Sequence, residues 1–242
     1  MTTGGRLRGG NELANALSAV AQSWQEASDV TATVEAVVWA AVDHLEGAEH
    51  AGVCLIEHGK IETVAASSDT VVDIDKLQFK VQEGPCVDAI AHQQTYRTGD
   101  LDAERRWPNF TVAASATGIR SMLSYRLFTS RATMGALNLY SSQQDAFSEE
   151  SEQEGLLFAS HAAVALAGAR AQAQLSVALE SRDVIGTAKG ILMERHGIDI
   201  VQAFAMLVDA SKNTNTKLRD VAAWLVNEHA KPGSPDTTSH AC

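Results

Sequence analysis

The stretch VIGTAKGILMERHG, residues 184–197, has the character of one continuous helix, yet Gly186 and Gly190 stand at its centre. A glycine inside a helix costs roughly 1 kcal/mol relative to alanine. Spaced four apart, the two lie on one face, and Lys189 stands beside that face. Arg182 comes seven residues before Lys189, two turns back, with Gly186 between them. Bare backbone among cations suits a partner that approaches the helix closely. It suits equally a second helix packed tightly against the first, within one molecule or across a dimer, with Lys189 and Arg182 as solvated residues supported by charge pairs such as Glu194. Farther on, Arg195 and Lys212 fall near predicted turns, and Lys217 and Arg219 begin a last helix.

The cysteines offer less. Cys54, Cys86 and Cys242 are few, odd in number and widely spaced, which suits a reducing compartment and gives no metal-ligand pattern. Cys86 follows Gly84–Pro85 at a predicted helix start, where a thiol is either activated or simply packed as a small apolar residue. Cys54 alternates within a predicted strand and reads as core. The eight histidines are dispersed, so no metal and no cofactor are expected. No nucleotide-binding glycine loop, catalytic triad or carboxylate pair stands out, so the chain reads as a protein that is not an enzyme.

These groups sit in a chain of 242 residues with a net charge of −11. Through residue 170 there are 12 lysines and arginines against 22 acids; beyond it the balance is 7 against 8. The first part repels polyanions, whereas the nearly neutral last part can still be basic on one face. No apolar run approaches the ~18 residues of a membrane span. The N-terminus has no signal-peptide pattern, so a cytoplasmic location is expected, with no membrane partner.

The elements that must position these residues follow from periodicity. Residues 1–10 and 231–242 are rich in small and polar residues and read as disordered ends. From Asn11 to His44 the pattern is helical, with Val34, Val37, Val38 and Ala41 on one stripe. AGVCLIEHGKIETVAAS gives a β-hairpin around His58–Gly59. KLQFKVQ alternates in the manner of a strand, breaks at Gly84–Pro85, and turns helical with Pro85 in the first turn. IRSMLSYRLF and RATMGALNLYSS read as an antiparallel pair. The expected fold is an α+β domain with an antiparallel sheet. Ser148 caps a helix that meets no breaker until Gly197, about forty residues or more, and its Leu/Ala spacing suits a dimer through close helix pairing. The other reading is a helix that lies on its own sheet and breaks near Gly168. Two short helices follow. The first is capped by Asp199, with Ile200, Ala203, Phe204 and Leu207 on one face; the second is capped by Thr214, Asn215 or Thr216, with Leu218, Val221, Ala222 and Leu225 on one face. They complete a three-helix bundle with the end of the long helix.

At residues 181–226 the chain resembles the ANTAR domain of transcription antitermination regulators. The likeness is carried by Ala188, Lys189, Gly190, Leu192 and Met193, then Ala203–Phe204, then Leu218 with Val221–Ala222. Residues 11–170 resemble a GAF sensor domain in EGPCVDAI, RRWPNF, GIRSMLSYRLF and GALNLYSSQQDAFSEE. In this order the pair is similar to the GAF–ANTAR regulators of actinobacteria. The domains expected are a GAF-like sensor over 11–170, a connecting and dimerising helix over 149–180 that overlaps it, and an all-α three-helix ANTAR bundle over 171–230.

The resemblance implies a regulator that binds stem-loops in nascent RNA as a homodimer. The residues expected at the RNA are Arg182, Gly186, Lys189, Gly190, Arg195, Lys212, Lys217 and Arg219; the free N–H groups at a helix start also favour phosphate. It places a sensor pocket between the sheet and residues 77–118, where Cys86, Trp107, Phe110 and Ser115 fall, for a small-molecule or protein signal that the sequence does not identify. The cyclic-nucleotide signature of some GAF domains is missing, and so is the receiver segment that phosphorylation would act on. Two other classes are a DNA-binding transcription factor with a GAF sensor and a GAF-fold enzyme reducing methionine sulfoxide with cysteines. Against the first, KLRDVAAWLV turns apolar directly after Arg219, where a recognition helix carries polar residues.

Overall fold

Asp29 and the stripe Val34, Val37, Val38 and Ala41 open the described chain. The carboxylate accepts the Ala32 N–H at 2.9 Å and starts helix α1 (Val30–His44), whose stripe is fully buried. The computed structural model describes residues 29–130 and 132–230. The expected helix over 11–28 and the two ends expected to be disordered lie outside the described residues. The chain divides into two units between Ala171 and Gln172.

In the first unit, β1 (His50–Glu57) and β2 (Lys60–Ala66) form the predicted hairpin. Its turn residues His58 and Gly59 have φ of 52° and 80°, as a two-residue turn between twisted strands requires. Next come α2 (Asp69–Val81), α3 (Pro85–Ala91), β3 (Thr95–Thr98) and α4 (Pro108–Ala114), which runs into a 3-10 turn at Ser115–Thr117. Then β4 (Ser121–Phe128) and β5 (Thr133–Ser141) complete an antiparallel sheet in the order β2-β1-β5-β4-β3. The segment 76–81, expected to alternate as a strand, is instead the second half of α2. Its inward residues Val71, Ile74, Asp75 and Gln78 follow helical spacing, but two of them are polar, which hides the apolar period.

Strand alternation gives the sheet two unlike faces. Ala51, Val53, Leu55, Leu123, Tyr125, Leu137 and Leu139 form an apolar face packed with α1 and with Phe158, Ala159, Ala162, Ala163 and Leu166 of the next helix. Gly52, Cys54, Ser124, Asn138 and Tyr140 occupy the other face, under α2 and α3.

That next helix is α5 (Glu149–His196), 48 residues long. Ser148 Oγ accepts the Ser151 N–H at 3.0 Å as the expected cap. The helix lies on its own sheet at the start and also continues unbroken past Gly168. Tyr125 donates its hydroxyl to the carbonyls of Ser151 and Glu152 at 3.3 and 3.1 Å, and a side chain at Gly155 would overlap the tyrosine ring. Arg97 of β3 donates to the Phe147 carbonyl and pairs with Glu152, both at 2.9 Å.

In the second unit the end of α5 packs with α6 (Ile200–Thr214) and α7 (Leu218–Ala230) around Ala188, Ile191, Leu192, Ala203, Leu207, Ala222 and Leu225. Gly197, with φ of 65°, closes α5, and Asp199 forms a capping box with Gln202. Two expectations change here. Ile200 and Phe204 do not share the burial of Ala203 and Leu207 but stay 54% and 43% exposed. None of Thr214, Asn215 and Thr216 caps α7: Asn215 adopts the left-handed conformation that ends α6, and the Lys217 carbonyl takes the first N–H groups of α7. Among the described residues no helix is long and apolar enough to cross a membrane.

Candidate nucleic-acid interface and sensor core

Within the bundle, Ala188, Ile191 and Leu192 turn one side of α5 inward. The helical period then places Gly186 and Gly190 on the opposite side, with Arg182 along the same side and half-buried Lys189 at its margin. A Cβ added at Gly186 or Gly190 would meet nothing within 4 Å. Close packing inside the bundle is therefore not what the glycines serve. On one flank of this bare face an open groove of about 540 Å³ runs along Thr187, Gly190, Ile191, Glu194, Val226 and His229.

Topology sorts the cations by end. The Arg219 guanidinium lies 3.3 Å from the Glu180 carboxylate, which sets the start of α7 beside the early turns of α5 in this unit. Arg182, Lys212, Lys217 and Arg219 consequently gather toward the α6–α7 turn, whereas Arg195 stands at the other end by Gly197. Arg182, Lys189, Arg195, Lys212 and Lys217 form no ion pair among the described residues, and all but Lys189 are exposed. In particular, Glu194 does not pair with Lys189. Uncommitted cations beside bare helical backbone can take up phosphate without first breaking an internal pair.

In the sensor unit the expected pocket residues separate. Trp107 and Phe110 are buried in one core cluster with Ile74, Leu101 and Tyr140. Cys86 is buried in another with Cys54 and Ala136. Ser115 is exposed and lines an outer cleft of about 240 Å³ with Leu101, Glu104, Arg105 and Val112. Two of the motifs that carried the GAF resemblance, EGPCVDAI and RRWPNF, clasp one another. Glu83 accepts from the N–H groups of Asn109 and Phe110 at 2.9 and 3.3 Å and so caps α4, and Trp107 donates its indole N–H to Asp88 at 2.8 Å.

Under this clasp lies a residue that sequence reasoning missed. Asp75 of α2 is fully buried, and five side chains donate to it: Cys54, Thr63, Gln78, Asn138 and Tyr140. Burial raises its carboxyl pKa, against the lowering effect of those hydrogen bonds. Burial, contact with Cys86 and the charge of Asp75 push the Cys54 thiol well above its ordinary range. Cys54 thus serves as a donor rather than a nucleophile. The only sequence signal was indirect: Asp75 and Gln78 continue the spacing set by Val71 and Ile74.

At the outer rim burial raises Glu104, but the hydrogen bonds and charge of Arg106 outweigh it and hold the pKa at about 2. The folded pKa lies below the ordinary 4.5, so this carboxylate stabilises the fold above that value. Its contribution is lost as pH falls from about 4.5 through about 2. Melting temperatures through that range should fall less steeply in Glu104→Gln than in the parent; parallel curves would remove Glu104 from the acid response.

The sheet order, the helices on both faces and the long exit helix define a sensor-type α+β domain, followed by a helical bundle with an open cationic face. A family model of the GAF domain matches residues 27–167 and one of the ANTAR domain matches residues 173–226. The chain belongs to the GAF-domain family and carries an ANTAR domain at its C-terminal side, the architecture of an RNA-binding regulator with a sensor. No curated protein sequence matches it. Among solved structures it is similar to the GAF domain of a phosphoenolpyruvate-protein phosphotransferase from Coxiella burnetii. There the identity is 19%, covering 67% of this chain and 97% of that one, with a TM-score of 0.55. It is also similar to the free methionine-R-sulfoxide reductase of Neisseria meningitidis, at 18% identity, 66% and 89% coverage, and a TM-score of 0.52. The Stigmatella aurantiaca phytochrome photosensory core module matches at 14% identity, 85% and 45% coverage, and 0.59. At these identities the likeness establishes the fold alone.

Proposed function

We propose that this chain is a transcription antitermination regulator that acts by binding rather than by catalysis. Its bundle, as part of a homodimer, holds stem-loops of nascent RNA in the cytoplasm, and its GAF domain senses a signal. The observation that carries the reading is the face of α5 bearing Arg182, Gly186, Lys189 and Gly190, where a Cβ at either glycine meets nothing and neither cation forms an ion pair among the described residues. RNA loops are recognised by phosphate contacts and by bases splayed against a surface, and a bare helix face among cations fits both. On α7 the exposed residues after Arg219 include Asp220 and Glu228, a poor surface for a DNA major groove. The test is to cross-link the full-length protein to RNA in cells and sequence what is recovered. Stem-loops upstream of terminators support the reading; duplex DNA recovered in their place overturns it.

The dimer rests on α5. Leu157, Val164, Leu175 and Leu179 are all more than half exposed. Leu157, Val164 and Leu175, with His161, Gly168, Ala171 and Ala178 between and after them, follow alternating steps of four and three, the seam of a paired helix, and Leu179 flanks it. The occupant that fits is the same seam of a second copy, because small residues and leucines alternate along it and allow close approach. Leu175→Asp in the full chain should convert a sedimenting dimer into a monomer at micromolar concentration. A parent protein that sediments as a monomer would end the proposal.

A further inference from the structure

The groove on the flank of the bare helix face is built by two helices of one bundle. On α5 its lining residues Thr187, Gly190, Ile191 and Glu194 follow steps of three, one and three, a single stripe of the helix. Opposite stand Val226 and His229 of α7, three apart and again on one side. Ile191 is 9% exposed and Val226 half-buried, so the floor between the helices is apolar. At Gly190 the wall is bare backbone, since a Cβ there would meet nothing within 4 Å. A volume of about 540 Å³ holds a flat aromatic ring and leaves room for the chain that carries it.

The polar groups along this groove are few. The Thr187 hydroxyl donates to the Asp183 carbonyl at 3.0 Å, within its own helix. Glu194, exposed and one turn beyond Gly190, forms no ion pair among the described residues. Beside a face that holds a polyanion, an unpaired carboxylate repels phosphate and must meet another part of the nucleotide. A carboxylate only accepts hydrogen bonds, through two oxygens side by side. Among the RNA bases, guanine alone sets donors on two neighbouring atoms of one edge, N1–H and the N2 amine. Adenine and cytosine place a ring-nitrogen lone pair beside their amine, and it would face a carboxylate oxygen. Uracil has one N–H between two carbonyls.

We propose that this groove takes one unstacked guanine of the RNA loop. Its ring lies on Ile191, Val226 and the Gly190 backbone, and its N1–H and N2–H groups donate to Glu194. Lys189 next to Gly190, and Arg195 next to Glu194, serve the neighbouring phosphates. Loop bases are read in this manner, splayed out of the stack and bonded along an edge. Gly190 belongs both to the groove and to the cationic face, and this continuity selects RNA as the occupant. The site deepens the RNA-binding reading and rests on it.

The test uses the full-length protein and a stem-loop library whose loop is fully randomised. Selected loops should carry guanine at one position, and adenine placed there should weaken binding about tenfold. Inosine, which keeps N1–H but lacks the N2 amine, should fall between the two. Glu194→Gln trades one acceptor for a donor and, as an exposed substitution, should leave the melting temperature nearly unchanged. Its amide matches an edge with one donor and one acceptor, so the selected base should change from guanine to adenine or cytosine. No structural role of Glu194 would produce that exchange. A parent that binds loops without preferring guanine overturns the site and leaves RNA binding intact. So does a Glu194→Gln protein that still selects guanine. If Glu194→Gln loses the dimer and keeps its base preference, a second copy fills the groove and the proposal fails. A parent that binds no loop at all overturns the RNA reading, and the site falls with it.

Discussion

Lys189→Ala is expected to weaken RNA binding about tenfold while leaving the melting temperature nearly unchanged. A charged hydrogen bond contributes about 1.5–3 kcal/mol, and about 1.4 kcal/mol corresponds to a factor of ten. Lys189 has no ion pair among the described residues, so its removal strands no internal carboxylate. The dependence of affinity on salt should become shallower, with a change of slope of at most about 0.7 for a single-stranded contact. Gly190→Ala completes the experiment. An added Cβ meets nothing within 4 Å, so the helix should gain up to about 1 kcal/mol. If RNA approaches here, affinity falls as stability rises. A loss of stability would show that the face packs against a second copy. A stabilised variant with full RNA affinity would defeat both accounts of the glycines.

The largest loss of stability is expected from Gly135→Ala. Gly135 lies in β5, paired with β1 on one side and β4 on the other, and a Cβ there would overlap the Cys54 carbonyl. Backbone cannot swing aside as a flexible side chain can, so the central strands must part. We expect a cost of about 3 kcal/mol or more, at the upper end for overpacking. Chemical denaturation with a tryptophan signal checks it, Trp107 being buried in this unit. A cost below about 1 kcal/mol would mean that the β1–β5 ladder relaxes more readily than its geometry implies.

How far the sequence could be read depended on whether polarity and position agreed. Helix α5 was legible to its ends because Ser148, the acids after it and Gly197 are local signals that depend on no distant contact. The His58–Gly59 turn, the Asp199 cap and the place of Pro85 were legible for the same reason. Gly186 and Gly190 stood out too, since glycines inside a helix are costly enough to demand an explanation, and a Cβ at either meets nothing within 4 Å. Helix α2 was misread because its inward side carries Asp75 and Gln78, which only the tertiary fold makes interior. The same blindness hid Asn138 and Ser124: in a strand, polar residues at alternate positions look like a wet face. Phe204 failed in the opposite sense, an aromatic residue whose spacing set it on one face with Ala203 and Leu207 but which remains part exposed. The expected pocket of Cys86, Trp107, Phe110 and Ser115 joined residues near in sequence, whereas packing divides them between two clusters and the surface.

The hold of Tyr125 on the start of α5 sets which motions the helix can make. Its hydroxyl bonds to two consecutive carbonyls, and its ring rests where Gly155 has no side chain. Advancing the helix by one residue, about 1.5 Å, also turns it by about 100°. Such a step would carry both carbonyls out of reach and bring Cβ atoms against the ring. The joint therefore resists screw and piston travel alike. Phe158, Ala159, Ala162, Ala163 and Leu166 carry the same hold onward along the buried face, so about the first five turns of α5 belong to the sheet as firmly as its strands do.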